Sequence, residues 1–241
     1  MKNEKKNNSS SIAPIVIIGL VLVAAIVGIW WFSSSSQTQT TRTNTARKPA
    51  ASTAELYARA APGANPPHSL GAPNAAVTIE EFADFQCGAC AGMHPVVKEL
   101  RSTYGDRVRI IFRHFPLNIP AHDKAYEAAV ATEAAGMQGK FWDMQNILFA
   151  NQQVWSRSSD YRKMFQDYAQ KIGLDVDKFN ADMAGSFTKN RVDADLQRGR
   201  TLQINSTPTF YINGRIVSPQ EMSADGMRQV IDAELQRTQA K

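Results

Sequence analysis

The two cysteines of the chain, Cys87 and Cys90, are separated by two residues and are the side chains best suited to chemistry. They follow VTIEEFADF (77–85), a β-branched and aromatic run that predicts a buried strand, and open a segment with apolar residues at helical spacing. Cys87 is therefore predicted at a helix N-terminus, where free backbone N–H groups and the helix dipole favour a thiolate. Cys90 lies one turn later on the same face. The arrangement indicates thiol–disulfide exchange, with Cys87 as the exposed attacking sulfur and Cys90 as the resolving thiol.

Three other interpretations of the cysteine pair stay open on the residues alone. One is a structural disulfide, although closing so short a loop contributes only about 2 kcal/mol in the chain-entropy model. Another is a metal site, as in a copper carrier, with His94, His114 or His122 as the further ligand. The third is a pair of unreacted buried thiols, which an oxidising compartment disfavours. Two cysteines are too few for a four-cysteine zinc site or a multi-disulfide scaffold.

The elements that must position the cysteines follow an α/β pattern. VRIIFRHF (108–115) predicts a second strand, and the intervening helix implies that it is parallel to the first. Residues from about 120 to 200 are typical of a block of helices, inserted between two halves of a small α/β domain. TFYINGRIV (209–217) predicts a hairpin around an Asn-Gly turn, and a closing helix is expected over residues 219–237.

The positive charge of the chain belongs to its N-terminal region. The 241 residues include 27 basic and 22 acidic ones, a net charge of +5. Residues 1–53 contain six of the basic residues and one of the acidic ones, which leaves 21 of each sign in residues 54–241. Because the region predicted to fold is neutral, the charge pattern argues against binding to nucleic acid.

Residues 12–32 form an uncharged apolar run of 21 residues, about the length that crosses a bilayer. Three lysines precede it and no charge follows before Arg42, so the positive-inside rule places the N-terminus in the cytoplasm. A cleaved signal peptide is the alternative, although signal cores are usually shorter. We predict a cytoplasmic tail (1–11), a single transmembrane helix as anchor (12–32), a flexible Ser/Thr/Pro-rich linker (33–69) and a folded domain (70–241).

Several motifs in this domain resemble a known family. The string EEFADFQCGACAGMHP resembles the active-site segment of thioredoxin-fold disulfide oxidoreductases, most of all the DsbA-like branch. Pro95 stands where the family has a helix-kinking proline, and Glu81 stands where it has a buried acid. STPTFYING resembles the cis-proline segment, which makes Thr207-Pro208 the expected cis bond. The resemblance implies an α/β thioredoxin-like fold with an inserted helical subdomain.

The resemblance also implies roles for individual residues. Cys87 and Cys90 would form the redox pair, Glu81 would exchange a proton with Cys90, and Pro208 would shape the substrate site. The backbone of the residue before Pro208 would pair with an extended substrate. The expected substrate-binding residues are Thr207, Gly88 and Ala89.

Simpler alternatives accompany some of these assignments. Glu81 is either buried, which would raise its pKa, or exposed at an edge like its neighbour Glu80. Pro208 is either a cis proline that faces the cysteines or an ordinary proline at the start of a strand. Asp84 is expected to be structural, by capping a backbone group, and His94 to face solvent.

The function implied by the resemblance is that of a protein thiol–disulfide oxidoreductase. The catalytic domain would lie in the periplasm or an equivalent extracytoplasmic space, held at the inner membrane by the single-pass anchor. Its substrates would be exported polypeptides, it would need no cofactor, and a DsbB- or VKOR-like membrane protein or a reducing donor would reset its cysteines. Gly88-Ala89 replaces the Pro-His pair common in the DsbA type. We expect disulfide donation; a reductase or isomerase of the same fold and a copper carrier are the alternatives.

Overall fold

The structure is a computed structural model that describes residues 52–239. The predicted cytoplasmic tail, the predicted anchor at 12–32 and the first part of the predicted linker lie outside the described residues. Within residues 52–239, no helix is both long enough and apolar enough to cross a bilayer.

Among the described residues, a mixed sheet of five strands forms the centre of the domain. Its strands are His68–Leu70 (β1), Val77–Ala83 (β2), Val108–His114 (β3), Thr209–Ile212 (β4) and Arg215–Ile216 (β5). Their order across the sheet is β1-β3-β2-β4-β5, with β2 and β3 parallel and all other neighbours antiparallel. β2 is buried on both faces because it is the central strand. The two predicted parallel strands and the hairpin are confirmed, whereas β1 was not predicted.

Helices cover both faces of this sheet. They are Thr53–Arg59 (α1), Gly88–Tyr104 (α2), Ala125–Gly136 (α3), Phe141–Ala150 (α4), Gln152–Trp155 (α5), Tyr161–Lys171 (α6), Val176–Ala184 (α7), Ser186–Thr201 (α8) and Ala224–Gln239 (α9). In sequence, α3 to α8 lie between β3 and β4, the position predicted for the helical insertion. α2 connects the parallel strands β2 and β3 and carries the cysteines at its start.

Each face of the sheet has its own apolar core. On one face, α2 and α9 contribute Val97 and Ile231, which pack with apolar residues of the strands. On the other face, Phe82 of β2 belongs to a core with Trp155 and Phe165 of the insertion. Burying a side chain of this size contributes about 1.5–3 kcal/mol. The insertion is thus fixed to the sheet by its own core and is a rigid support for the residues near the cysteines.

The segment before β1 is ordered against the domain, so the prediction of a flexible linker is wrong for residues 52–69. Arg198 donates a hydrogen bond of 2.8 Å to the carbonyl oxygen of Ala61, and Arg113 donates one of 2.8 Å to that of Ala64. β1 then pairs antiparallel with β3. The composition of the segment misled the prediction because the arginines that hold it lie much later in the chain.

The turn between β4 and β5 is the predicted Asn-Gly turn. Asn213 and Gly214 have φ values of 47° and 80°, both in the left-handed region that a two-residue type I′ turn requires. Glycine is also needed for space, because a Cβ at 214 would lie 2.9 Å from the ring of Tyr57. The turn therefore holds β4, which begins directly after Pro208, in register beside β2.

Candidate active site

The turn between β2 and α2 is held by Asp84, which has the structural role predicted for it. Its Oδ1 accepts a hydrogen bond of 2.6 Å from the backbone N–H of Gln86, and its Oδ2 accepts one of 2.8 Å from that of Leu117. The ring of His122 lies 2.6 Å from the same Oδ2. This buried carboxylate fixes the end of β2, so that Cys87 becomes the N-cap residue of α2.

Cys87 carries the more accessible and more acidic of the two sulfurs. The residue is 8% exposed, less than the sequence predicted, whereas Cys90 is fully buried. The pKa of Cys87 is lowered to about 5, first by a hydrogen bond from the Cys90 thiol and further by Thr207 and by backbone groups of Cys90 and Ala89; burial opposes these effects. The sequence predicted this direction from the helix N-terminus, but the neighbouring thiol is the largest cause.

Cys90 has the opposite electrostatic environment. Burial raises its pKa, the adjacent Cys87 raises it further, and the backbone of Asp84 lowers it to a smaller extent. Cys90 therefore remains a thiol at a pH where Cys87 is a thiolate. This asymmetry matches the chemical division of labour expected of an exchanging dithiol, in which one sulfur is the nucleophile and the other is held in reserve.

Glu81 is buried, which is the first of the two alternatives predicted for it. It is 2% exposed in β2, and burial alone raises its pKa to about 8. Its charge also raises the pKa of Cys90, so the two groups are electrostatically coupled. Glu81 lines a cavity of about 230 Å³ whose other walls include Trp142, Lys98 and Arg101. A carboxyl group that is protonated near neutral pH can donate a proton to a neighbouring sulfur or accept one from it.

Glu80 is also buried, so the prediction of an exposed residue at this position is wrong. It is 1% exposed and is hydrogen-bonded by Arg113 at 2.7 Å, by Arg198 at 2.8 Å and by the hydroxyl of Tyr57 at 2.8 Å. Burial raises the pKa of Glu80, but the hydrogen bonds and charges of the two arginines outweigh it and the pKa is lowered. Neighbouring glutamates in one strand thus differ: Glu80 is a paired carboxylate, whereas Glu81 forms no ion pair with another residue of 52–239.

The predicted cis peptide bond between Thr207 and Pro208 is confirmed. The loop that contains it lies against Cys87, whose thiol donates a hydrogen bond of 3.3 Å to the carbonyl oxygen of Thr207. The Thr207 hydroxyl is buried and has no hydrogen-bond partner of full geometry within residues 52–239, yet it lies close enough to the Cys87 sulfur to help lower its pKa. Gly88 and Ala89 are exposed beside the cysteines and carry no charge.

Within residues 52–239, no cluster of three or more potential metal ligands combines a histidine with a cysteine. His94 is 2.9 Å from the Oδ1 of Asn146, and burial lowers its pKa. Among residues 52–239, the potential metal-binding cluster is His114 with Glu133 and Asp195, and it includes neither cysteine. Glu133 and Asp195 also pair with the arginines Arg191 and Arg113.

A dithiol with one ionised sulfur and one protonated sulfur can accept or donate two electrons by disulfide exchange. Such a dithiol at the start of α2, facing a cis-proline loop, defines the class of thioredoxin-fold thiol–disulfide oxidoreductases. A sequence model described as Thioredoxin matches residues 64–233. The chain belongs to the thioredoxin family.

Solved structures agree on the fold. The thiol-disulfide exchange protein alpha-DsbA2 from Wolbachia pipientis aligns with a TM-score of 0.58 and 20% identity, over 69% of this chain and 86% of that one. Oxidised BdbD from Bacillus subtilis aligns with a TM-score of 0.61 and 22% identity, over 73% of this chain and 98% of that one. These similarities identify the fold as DsbA-like, with the helical insertion that the sequence predicted.

A curated relative is several times longer than the region it shares with this chain. The Na(+)/H(+) antiporter NhaA 1 of Mycolicibacterium gilvum is 37% identical over 150 residues, which are 61% of this chain and 23% of the antiporter. The chain thus spans less than a quarter of the length of this relative. The similarity concerns one part of a larger protein.

Proposed function

We propose that this protein is a membrane-anchored thiol–disulfide oxidoreductase that donates disulfides to exported polypeptides outside the cytoplasm. The observation that carries the proposal is the electrostatic difference between the two cysteines. The pKa of Cys87 is lowered to about 5, whereas that of Cys90 is raised. When the reduced form is stabilised in this way, the oxidised form gives up its disulfide readily, which is the property of an oxidant.

The donating reaction consists of two exchanges. A substrate thiolate attacks the Cys87 sulfur of the oxidised protein, the Cys87–Cys90 bond breaks, and the Cys90 sulfur leaves and takes a proton from the Glu81 carboxyl. A second substrate thiolate then attacks the substrate sulfur of the mixed disulfide and releases Cys87 as a thiolate. Two electrons pass from the substrate to the cysteine pair, and the substrate gains one disulfide. Glu81 regains its proton from water.

The substrate is proposed to bind as an extended segment beside Pro208. The backbone of Thr207 would pair with it, and the exposed Gly88 and Ala89 would leave room for its side chains. Recognition through backbone groups suits a protein that acts on many unfolded polypeptides. It also explains why the dipeptide between the cysteines can lack large side chains.

The location is inferred from the sequence and from the relatives. The anchor proposed at 12–32 would place the domain outside the cytoplasm, where disulfides persist. The similarity of the domain to part of an antiporter supports activity close to a membrane. A DsbB- or VKOR-like membrane protein would return the two electrons to a quinone and restore the disulfide.

A reductase or isomerase of the same fold is the second candidate. Gly88 and Ala89 add no positive charge beside Cys87, and this weakens the case for an extreme oxidant. In such a protein the same exchange would run in the opposite direction: Cys87 would attack a substrate disulfide, and a reducing donor would supply the electrons.

Disulfide transfer to a reduced, unfolded polypeptide tests the proposal. The oxidised protein is mixed with reduced ribonuclease without another oxidant, and substrate disulfides are counted by mass spectrometry after alkylation. We expect one substrate disulfide for each protein molecule reduced, and none with Cys87→Ala. In the second arm, the reduced protein is mixed with scrambled ribonuclease, whose disulfides are wrongly paired, and ribonuclease activity is followed. Recovery of activity there, without transfer in the first arm, would favour the isomerase. Release of a soluble form that begins near residue 33 in cells would contradict the anchor.

A further inference from the structure

The backbone turn that presents Cys87 is bonded from two sides. On one side, Asp84 accepts hydrogen bonds from the backbone N–H groups: its Oδ1 from Gln86 at 2.6 Å, and its carbonyl oxygen from Cys87 at 3.1 Å. On the other side, the side-chain amide of Gln152 donates to the carbonyl oxygen of Phe85 at 2.8 Å and to that of Cys87 at 2.9 Å. Both N–H bonds of this amide are thereby directed to the turn.

Gln152 belongs to the helical insertion, 65 residues after Cys87 in the chain. It is 4% exposed and is the first residue of α5. Trp155, at the other end of this short helix, is fully buried and donates a hydrogen bond of 2.8 Å to the carbonyl oxygen of Leu148. The amide is therefore carried by a rigid element, which is what precise placement of a neighbouring group requires.

The orientation of these carbonyl groups affects the Cys87 sulfur. Carbonyl oxygens are partially negative. The carbonyl oxygen of Thr207 already lies 3.3 Å from the sulfur, and further ones turned toward it would disfavour the thiolate. The carbonyl of Cys87 also accepts the helical hydrogen bond from the N–H of Ala91 at 3.1 Å, so Gln152 is its second donor. Because a peptide unit is planar, fixing this carbonyl also fixes the N–H of Gly88 on the opposite side. The backbone groups of Ala89 and Cys90, which favour the thiolate, follow directly in the first turn of α2.

We propose that Gln152 is a positioning residue for the Cys87 thiolate: it holds the carbonyl groups of Phe85 and Cys87 toward the insertion, so that the first turn of α2 presents its N–H groups to the sulfur. The inference rests on the proposed function and adds to it. The inserted helices then adjust the oxidising strength of the dithiol, in addition to covering one face of the sheet.

The test compares side chains of similar size at position 152. Gln152→Met keeps the length of the side chain and removes both donors. Gln152→Glu keeps the shape, but its ionised form presents acceptors to two carbonyl oxygens. The matched control is Gln166→Met, since Gln166 is half-buried in the same insertion and its amide donates to Asn180 instead of to the cysteine turn. The thiolate absorbance of the reduced protein gives the pKa of Cys87, and equilibration with glutathione gives the redox equilibrium constant.

We expect Gln152→Met to raise the pKa of Cys87 and to make the protein a weaker oxidant by about tenfold, equivalent to about 30 mV for a two-electron couple. Gln152→Glu is expected to have the larger effect, and Gln166→Met to leave the pKa of Cys87 unchanged. The melting temperature of the reduced form should fall more than that of the oxidised form. If Gln152→Met does not fold, Gln152→Asn, which is one methylene shorter, is measured in the same way.

A purely structural role predicts a different pattern, which would overturn the inference. Both redox forms would then lose the same stability, and the pKa of Cys87 and the glutathione equilibrium would match wild type. The proposed function fails separately if the wild-type protein transfers no disulfide to a reduced polypeptide. That result does not depend on the variants at position 152.

Discussion

The sulfur of Cys87 lies 3.3 Å from the carbonyl oxygen of Thr207, although 120 positions separate the two residues in the chain. Thr207 precedes the cis Pro208 and the start of β4. A substrate strand paired with the backbone of Thr207 would therefore place its own cysteine beside Cys87. Substrate binding and disulfide exchange are thus proposed to occur at one point, which lowers the entropic cost of bringing the sulfurs together.

The division of roles between the cysteines predicts which variant traps substrates. In Cys90→Ala, Cys87 still forms a mixed disulfide, but no internal thiol remains to displace the partner. We expect such mixed disulfides to accumulate in cells and to disappear on reduction in non-reducing gel analysis. Cys87→Ala is the control and should trap little. If Cys87→Ala trapped more partners than Cys90→Ala, the assigned roles would be reversed.

Replacing Glu81 by Gln should stabilise the protein and slow exchange. Burial raises the pKa of Glu81 to about 8 in the folded protein, against about 4.3 in the unfolded chain. The folding stability that goes with the protonated carboxyl is therefore fully present below about pH 4.3 and is lost as pH rises through 8. Glu81→Gln removes this loss, and the gain at pH 7 should be on the order of 3–4 kcal/mol in the free energy of unfolding. The rate of reduction by dithiothreitol should fall, and its inflection near pH 8 should disappear. An unchanged pH profile would exclude Glu81 as the proton donor to Cys90.

Glu80 should behave in the opposite way. Glu80→Gln leaves Arg113 and Arg198 buried with an uncharged partner, and breaking a buried ion pair in this way costs about 3–5 kcal/mol. Denaturant unfolding measures the loss. Glu99→Gln is the control, because Glu99 pairs with Arg228 at the surface, where such a pair contributes at most about 1 kcal/mol. Equal effects of the two substitutions would contradict the importance of the buried network.

Stability of the reduced form should depend on pH through Cys87. Its pKa is about 5 in the folded protein, against about 8.5 for a free thiol. The thiolate therefore contributes stability that is fully present above about pH 8.5 and is lost as pH falls through 5; at pH 7 it amounts to at most about 3 kcal/mol. The oxidised form lacks this contribution. We expect the difference in free energy of unfolding between reduced and oxidised protein to shrink from pH 8 to pH 5, and not to do so in Cys87→Ser.

Local patterns and motifs predicted the parts of the fold that depend on neighbouring residues. The cysteine turn, the parallel strands, the Asn213-Gly214 hairpin and the cis bond before Pro208 each have a short sequence signal, and the structure contains them. The ordered segment at 52–69 has no such signal. Its order depends on hydrogen bonds from arginines in β3 and α8, which a reading of local composition cannot detect.

Two buried polar residues illustrate the same limit within the site. Glu80 and Glu81 are adjacent in a strand and have similar local sequence, yet only the three-dimensional structure reveals that Glu80 faces two arginines. Gln152 lies in a short helix with no motif around it. Its relation to Cys87 depends on how the insertion packs, and this is a long-range property of the fold.

The reduction potential of the Cys87–Cys90 pair, measured by equilibration with glutathione, tests the central claim most directly. We predict a value between about −120 mV, as in DsbA, and about −270 mV, as in thioredoxin. Gly88 and Ala89 make it milder than the first, and the stabilised thiolate of Cys87 makes it more oxidising than the second. The reduced form should also be the more stable one at pH 7. A potential at or below the thioredoxin value, with the oxidised form more stable, would contradict disulfide donation and indicate a reductase or isomerase.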